Sequence, residues 1–166
     1  MKNKTVSNWT KELASKEGKY TAGSAVSVVA AISASLAGFI FNLQAGKEKY
    51  LDQESQIQAG IKKAHSLNQE LLELSEQDAD AFRPVIPLYN LPQNTVEERV
   101  IRKQNINEGL MNASKPPFKI ILKIDETMDL YEELINLNLE GSIVEDITIG
   151  LDIAIAAIKS AKTSSM

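Results

Sequence analysis

SAVSVVAAISASLAGFIFNL, residues 24–43, is the stretch on which the fold turns, because the chain carries no charge anywhere between Lys19 and Lys47. Wound at 3.6 residues per turn, its Val, Ile, Leu and Phe fall nearly all round the helix, which marks a buried element and not a surface one. Ala, Ser and Gly fill the remaining positions and let neighbouring backbones come close. The stretch therefore predicts a central core helix opening on Gly23-Ser24 and stopping at Gly46. It is long enough to span a bilayer, but Ser24, Ser27, Ser33 and Ser35 would meet lipid without a partner. The core reading is preferred, and no membrane partner is expected.

Outward from this helix the pattern stays helical. Thr5 or Ser7 can cap a short first helix to about Ser15, with Trp9 and Leu13 on one face. A long helix is expected from Tyr50 to Phe82, kinked or broken at Pro84 and Pro87. Residues 90–94 read as a loop, and Thr95 three before Glu98 is a capping box. The helix it starts passes Ile106 and Leu110, meets Pro116-Pro117 and resumes to about Asn138. Gly141 breaks the chain, Ser142 and Glu145 repeat the capping pattern, and a last helix ends near Ala161 before a frayed tail, 162–166. No strand or repeat period is visible. The expectation is a single all-α domain over residues 1–166, a bundle of about five helices, two of them long. Helices longer than a small domain is wide bury their excess against another subunit, which predicts a homodimer.

Composition narrows the chemistry. There is no cysteine and a single histidine, so thiolate metal sites and cysteine nucleophiles are excluded and no metal is expected. His65, between Ala64 and Ser66 on a charged helix, reads as solvated. A net charge of −4, with Lys47, Lys49, Lys62 and Lys63 scattered among acids, argues against a nucleic-acid surface. No secretory signal is read, which makes a cytoplasmic location the expectation.

A carboxylate set into an apolar stripe is the feature to look for, because desolvation tunes it toward acid–base work. Leu67, Leu71, Leu74, Phe82 and Val85 form such a stripe, and Asp78 interrupts it; Asp80 is rotated about 200° away with Glu73, Glu76 and Arg83. Asp78 is then either an acid–base group or a buried bond to a neighbouring helix end. Asp146 is similarly set among Ile143, Ile149, Ile153 and Ala157, with Glu145 and Asp152 turned away, and is either functional or a first-turn complement to the helix dipole. Asn42 ends the central helix as a site residue or as a plain polar terminus. Gly23-Ser24 presents backbone N–H groups that suit an anionic ligand group, or Ser24 caps the helix.

Taken together, these residues resemble one family. Glu12-Leu13-Ala14-Ser15, with Ser24 nine positions later and an Ala-rich helix ending in Asn42-Leu43, is similar to the opening of the formiminotetrahydrofolate cyclodeaminase and methenyltetrahydrofolate cyclohydrolase family. Asp78-Ala79-Asp80-Ala81-Phe82 resembles its D-x-x-A-F, the run Leu91-Pro92, Thr95, Glu97-Glu98 its L-P-K-x-T-x-E-E, and Arg102 to Ile106 its R-x-x-A-I. Pro117-Phe118 stands near its mid-helix proline. The resemblance covers residues 7 to about 160. It implies an all-helical dimer handling a one-carbon unit on tetrahydrofolate, with Asp78 as general acid/base, Gly23, Ser24, Asn42 and Asp146 as substrate-binding residues, and folate as substrate with no separate cofactor. Where the family has P-T-P-G-G-G-S this chain has Gly18-Lys19-Tyr20-Thr21-Ala22-Gly23-Ser24, and near the C-terminus only Asp146 of N-x-N-x-x-S-D remains. The alternative is a catalytically degenerate member, folate-binding or structural. The two differ in the turn: an enzyme keeps it open, and a degenerate member fills it with Tyr20 and Thr21.

Overall fold

A computed structural model describes residues 4–164, and every regular element in that range is helical. The elements are α1 (Val6–Leu13), α2 (Ala22–Gln44), a 3-10 segment (Glu48–Gln53), α3 (Glu54–Phe82), a second 3-10 segment (Arg83–Asn90), α4 (Val96–Ala113), α5 (Lys115–Asn136) and α6 (Ile143–Ser164). Five of these helices are long and one is short, so the expected bundle stands with its lengths distributed differently.

The small-residue helix is central, but it is buried on one side and not all round, since Val29, Ile32, Phe39 and Leu43 are exposed. Ala30, Ala31, Ala34 and Ala37 of α2 are buried against α3, α5 and α6. The approach to α3 is close enough that a Cβ on Gly60 would stand 2.6 Å from the Phe41 ring. Ser27 and Ser33 find partners inside the bundle, whereas Ser35 is exposed and donates to the Ala31 carbonyl of its own helix at 2.9 Å. Ser27 donates to the Leu71 carbonyl at 2.6 Å and Ser33 to the Gly150 carbonyl at 2.8 Å. The buried Tyr131 hydroxyl in turn donates to the Ser33 carbonyl at 2.7 Å. Each bond offsets the cost of burying its polar atoms, so a helix apolar enough to cross a membrane is stitched to α3, α5 and α6.

Several boundaries differ from the sequence-based expectation, each for a local reason. Helix α2 begins at Ala22, and its cap is Thr21, whose Oγ1 accepts the Ser24 N–H at 3.2 Å; Ser24 is not the cap. Pro84 and Pro87 lack the N–H groups that would bond the carbonyls of Asp80 and Arg83, and the long third helix gives way there to a 3-10 turn. Pro116 and Pro117 withhold two more bonds, and the expected fourth helix is divided into α4 and α5 at Ser114. The capping box at Thr95 and Glu98 forms in full. Gly46 and Gly141 both take positive φ, 72° and 81°, and end or precede helices as glycines readily do. Helix α6 runs on to Ser164, past the expected stop at Ala161; residues 165–166 of the expected frayed tail lie outside the described range.

The buried face of α6 also differs. Ile147, Ala154, Ala157 and Ala161 are buried, while Ile149 is exposed. Gly150 completes a 3-4-3-4 spacing, and its missing Cβ is what leaves room for the Tyr131 hydroxyl. Ile143 and Ala161 bracket opposite ends of this stripe, and Leu43, Gln44, Ser142 and Ile143 share one hollow. The N-terminus of α6 therefore sits at the C-terminal end of α2, and the two helices run antiparallel.

Candidate active site

Asp78 is where the stripe argument places it, on the core side of α3 after Leu67, Leu71 and Leu74, and it is only 6% exposed. Asp80 is 61% exposed and faces Lys19 at 3.9 Å and Arg83 at 4.0 Å. The two aspartates are on opposite sides of the helix, as their rotation requires.

The first turn of α2 closes over Asp78. Thr21 donates its hydroxyl proton to Oδ2, and Ser24 donates to the same oxygen at 3.1 Å. Gly23 lies between them, and a Cβ there would stand 2.6 Å from Oδ1 and 2.7 Å from Oδ2. Glycine is what allows the carboxylate this near the backbone. The expectations for Gly23 and Ser24 as site residues thus converge on Asp78 itself, with helix capping assigned to Thr21.

From this carboxylate a cleft of about 680 Å³ opens toward the α4–α5 kink. Phe82, Leu110 and Met111 supply apolar walls, Asn107 the amide, and Pro117 the floor beside the break between helices. Among the described residues, no lysine, arginine or second carboxylate lines it. Asn107 is a site residue that the sequence reading misses. Spacing carries no signal for it, because the packing of α4 decides which of its side chains reach the cleft.

Tyr20 does not fill this space. It is buried on the other side of the turn, against Trp9 with ring centroids 5.0 Å apart, and donates to Glu76 Oε1 at 2.8 Å. Lys19 meets Glu76 Oε2 at 2.5 Å. Partial burial pushes the Glu76 carboxyl up, but hydrogen bonds, those from Lys19 and Tyr20 among them, outweigh it and hold the group at about 2. Burial, and then the bond to Glu76, raise the Tyr20 phenol above its ordinary value.

The other two sequence candidates lie elsewhere. Asn42 is exposed on the last turn of α2 and donates to the Gly38 carbonyl at 2.8 Å, about 30 Å along the helix from Thr21 at 1.5 Å per residue. Asp146 is half-buried in the first turn of α6 at that same end. Neither lines the Asp78 cleft, and the structure does not bring them to Asp78, Gly23 and Ser24 within one chain. Among the described residues no three His, Cys, Asp or Glu side chains converge as metal ligands, and His65 is exposed against Gln69 at 2.9 Å.

Both the sequence and the fold are similar to known proteins. A family model described as formiminotransferase-cyclodeaminase matches residues 5–165. The chain is 31% identical to a methenyltetrahydrofolate cyclohydrolase of Methylorubrum extorquens over 162 residues, 96% of this chain and 76% of that protein. It is 28% identical to the formimidoyltransferase-cyclodeaminase of Mus musculus over 76% of this chain, a stretch that makes up 23% of the mouse protein. The crystal structure of formiminotetrahydrofolate cyclodeaminase from Thermotoga maritima shares the fold, with a TM-score of 0.84 over 99% of this chain and 77% of that one, at 19% identity.

Proposed function

The chain belongs to the formiminotransferase-cyclodeaminase family, and from that premise we propose that it converts one-carbon units carried on tetrahydrofolate, with Asp78 as general acid/base. In cyclohydrolase chemistry water adds to the methenyl carbon and gives up both its protons as the C=O forms, one to the ring nitrogen as its C–N bond breaks and one to solvent. In cyclodeaminase chemistry N10 loses a proton as it closes on the formimino carbon, and ammonia departs carrying one. Both need a single group that takes a proton and returns it beside a water-poor carbon, work worth about 10²–10⁴ in rate. Asp78 is buried, held by two hydroxyls, and faces a cleft whose other described lining residues carry no charge.

The observation that carries this reading over the degenerate alternative is the position of Tyr20. Its ring is clipped to Trp9 and Glu76, so the altered turn leaves the cleft open in front of Asp78. The 5,10-methenyl cation is an apt occupant, since its delocalised charge is complementary to a lone carboxylate among apolar walls. The test is to supply the purified chain with 5,10-methenyl-tetrahydrofolate and, separately, with 5-formimino-tetrahydrofolate, following the methenyl chromophore. Acceleration of its loss supports the cyclohydrolase, and of its appearance the cyclodeaminase. If neither changes over buffer and no folate raises the melting temperature, the enzymatic reading is wrong.

The working unit is a homodimer on this reading. Val29, Ile32, Phe39 and Leu43 are exposed along one side of α2, an apolar stripe with helical spacing on the most hydrophobic element of the chain. Sedimentation at micromolar concentration gives about twice the chain mass of 18.2 kDa; a monomer contradicts it.

A further inference from the structure

The two hydroxyls at Asp78 are not arranged evenly. Both Thr21 and Ser24 donate to Oδ2, and among the described residues no donor is seen on Oδ1. A hydroxyl has one proton to give and two lone pairs with which to accept. Thr21 gives its proton to Asp78 and accepts the Ser24 N–H at 3.2 Å. The Ser24 hydroxyl lies 3.1 Å from Oδ2 and 3.3 Å from Thr21 Oγ1, so its one proton is shared between the carboxylate and the threonine. Thr21 is thus fixed from two sides: as the cap of α2 it is held by the helix backbone, and as a donor it holds the carboxylate. Gly23 permits this arrangement, because a Cβ there would stand 2.6 Å from Oδ1 and 2.7 Å from Oδ2.

We propose that Thr21 is a positioning residue, which orients Asp78 so that Oδ1 is the oxygen presented to the substrate. This rests on the folate reading above. Asp78 sits two turns beyond the well-packed Leu71, one residue from Ala79, and its χ2 is a broad two-fold torsion that packing alone does not set. Oδ2, saturated by two short-range donors, is a poor proton acceptor for a third partner, whereas Oδ1 keeps its lone pairs for the reacting water or nitrogen. The helix cap of α2 therefore doubles as the registration of the acid/base group. Any chain with a bare glycine at position 21 would have only Ser24 for this task.

The experiment compares Thr21→Val, Thr21→Ser and wild type with 5,10-methenyl-tetrahydrofolate. Valine keeps the shape and removes both the donor and the cap; serine keeps both. We expect Thr21→Val to lose about tenfold or more in kcat with KM within about twofold, and Thr21→Ser to stay within about threefold of wild type in both. Because the lost cap also lowers stability, melting temperatures are read alongside, and a second variant, Ser24→Ala, removes a donor to Oδ2 without removing the cap. It should lower kcat in the same sense while the melting temperature falls less than in Thr21→Val. An active wild type matched in kcat by a folded Thr21→Val chain overturns the positioning role alone. A wild type without turnover overturns it together with the folate reading.

Discussion

Each end of α2 lies beside a helix that carries an aspartate, and the two surroundings differ. At its N-terminal end Thr21, Gly23 and Ser24 fold over an aspartate that α3 delivers from the core side. At its C-terminal end Asn42 bonds its own helix, and Asp146 sits half-buried in the first turn of α6. In sequence the two aspartates look equivalent, each set into an apolar stripe. What separates them is company: Asp78 has two hydroxyl donors from another helix, and Asp146 has the dipole of its own. What sets Asp78 apart is that a second element brings partners to it.

Substitutions can break this contrast in graded steps. Asp78→Asn removes the proposed proton carrier and keeps the shape, and should lower kcat/KM in the methenyl assay by about 10²–10⁴; a loss under fivefold would overturn the proposed role. Gly23→Ala comes next. The added Cβ would lie within 2.6–2.7 Å of both carboxylate oxygens, so the side chain must move. Displacement on the order of 1 Å costs about 10² in rate, and circular dichroism should show the helices intact.

A third test concerns the clip that keeps Tyr20 out of the cleft. Glu76 has a folded value of about 2 against an ordinary 4.5. Because the folded value is depressed, its contribution to stability is present above about pH 4.5 and is lost as the pH falls toward 2. Glu76 is partly exposed and screened, so the effect is modest. Between pH 5 and pH 2 the melting temperature should fall less steeply in Glu76→Gln than in wild type, and parallel curves would deny the clip any electrostatic part. Smallest of all are the changes at the far end. Asp146→Asn and Asn42→Ala should leave turnover within about twofold, with Asp146→Asn costing no more than about 0.3–1 kcal/mol of helix-dipole stabilisation. A large loss of rate there would return both residues to the site.

Much of the fold can be read from the sequence alone. The charge-free run at α2, the capping box at Thr95 and the stripe that isolates Asp78 all follow from one-dimensional periodicity, and each stands in the fold except that Phe82 of the stripe is 39% exposed. The division at Ser114 is less visible, because two adjacent prolines read as a kink until the loss of two successive bonds is counted. The face of α6 is misassigned from periodicity because large residues, Ile149 above all, draw attention away from Gly150, Ala154 and Ala157, whose smallness is what lets the helix pack. Thr21 and Asn107 cannot be placed at the site from spacing alone. Their roles depend on how α2 and α4 lie against α3, which is tertiary geometry. The altered turn shows the same limit: Tyr20 and Thr21 are expected to act together, yet one turns to Trp9 and the other to Asp78.

The most direct measurement is a crystal structure of the chain soaked with 5,10-methenyl-tetrahydrofolate. Density for the ring system in the cleft between Asp78, Asn107 and Pro117, with the one-carbon atom facing Oδ1, is the result expected. Density at the other end of α2, around Leu43 and Ile143 and away from any Asp78, would contradict it.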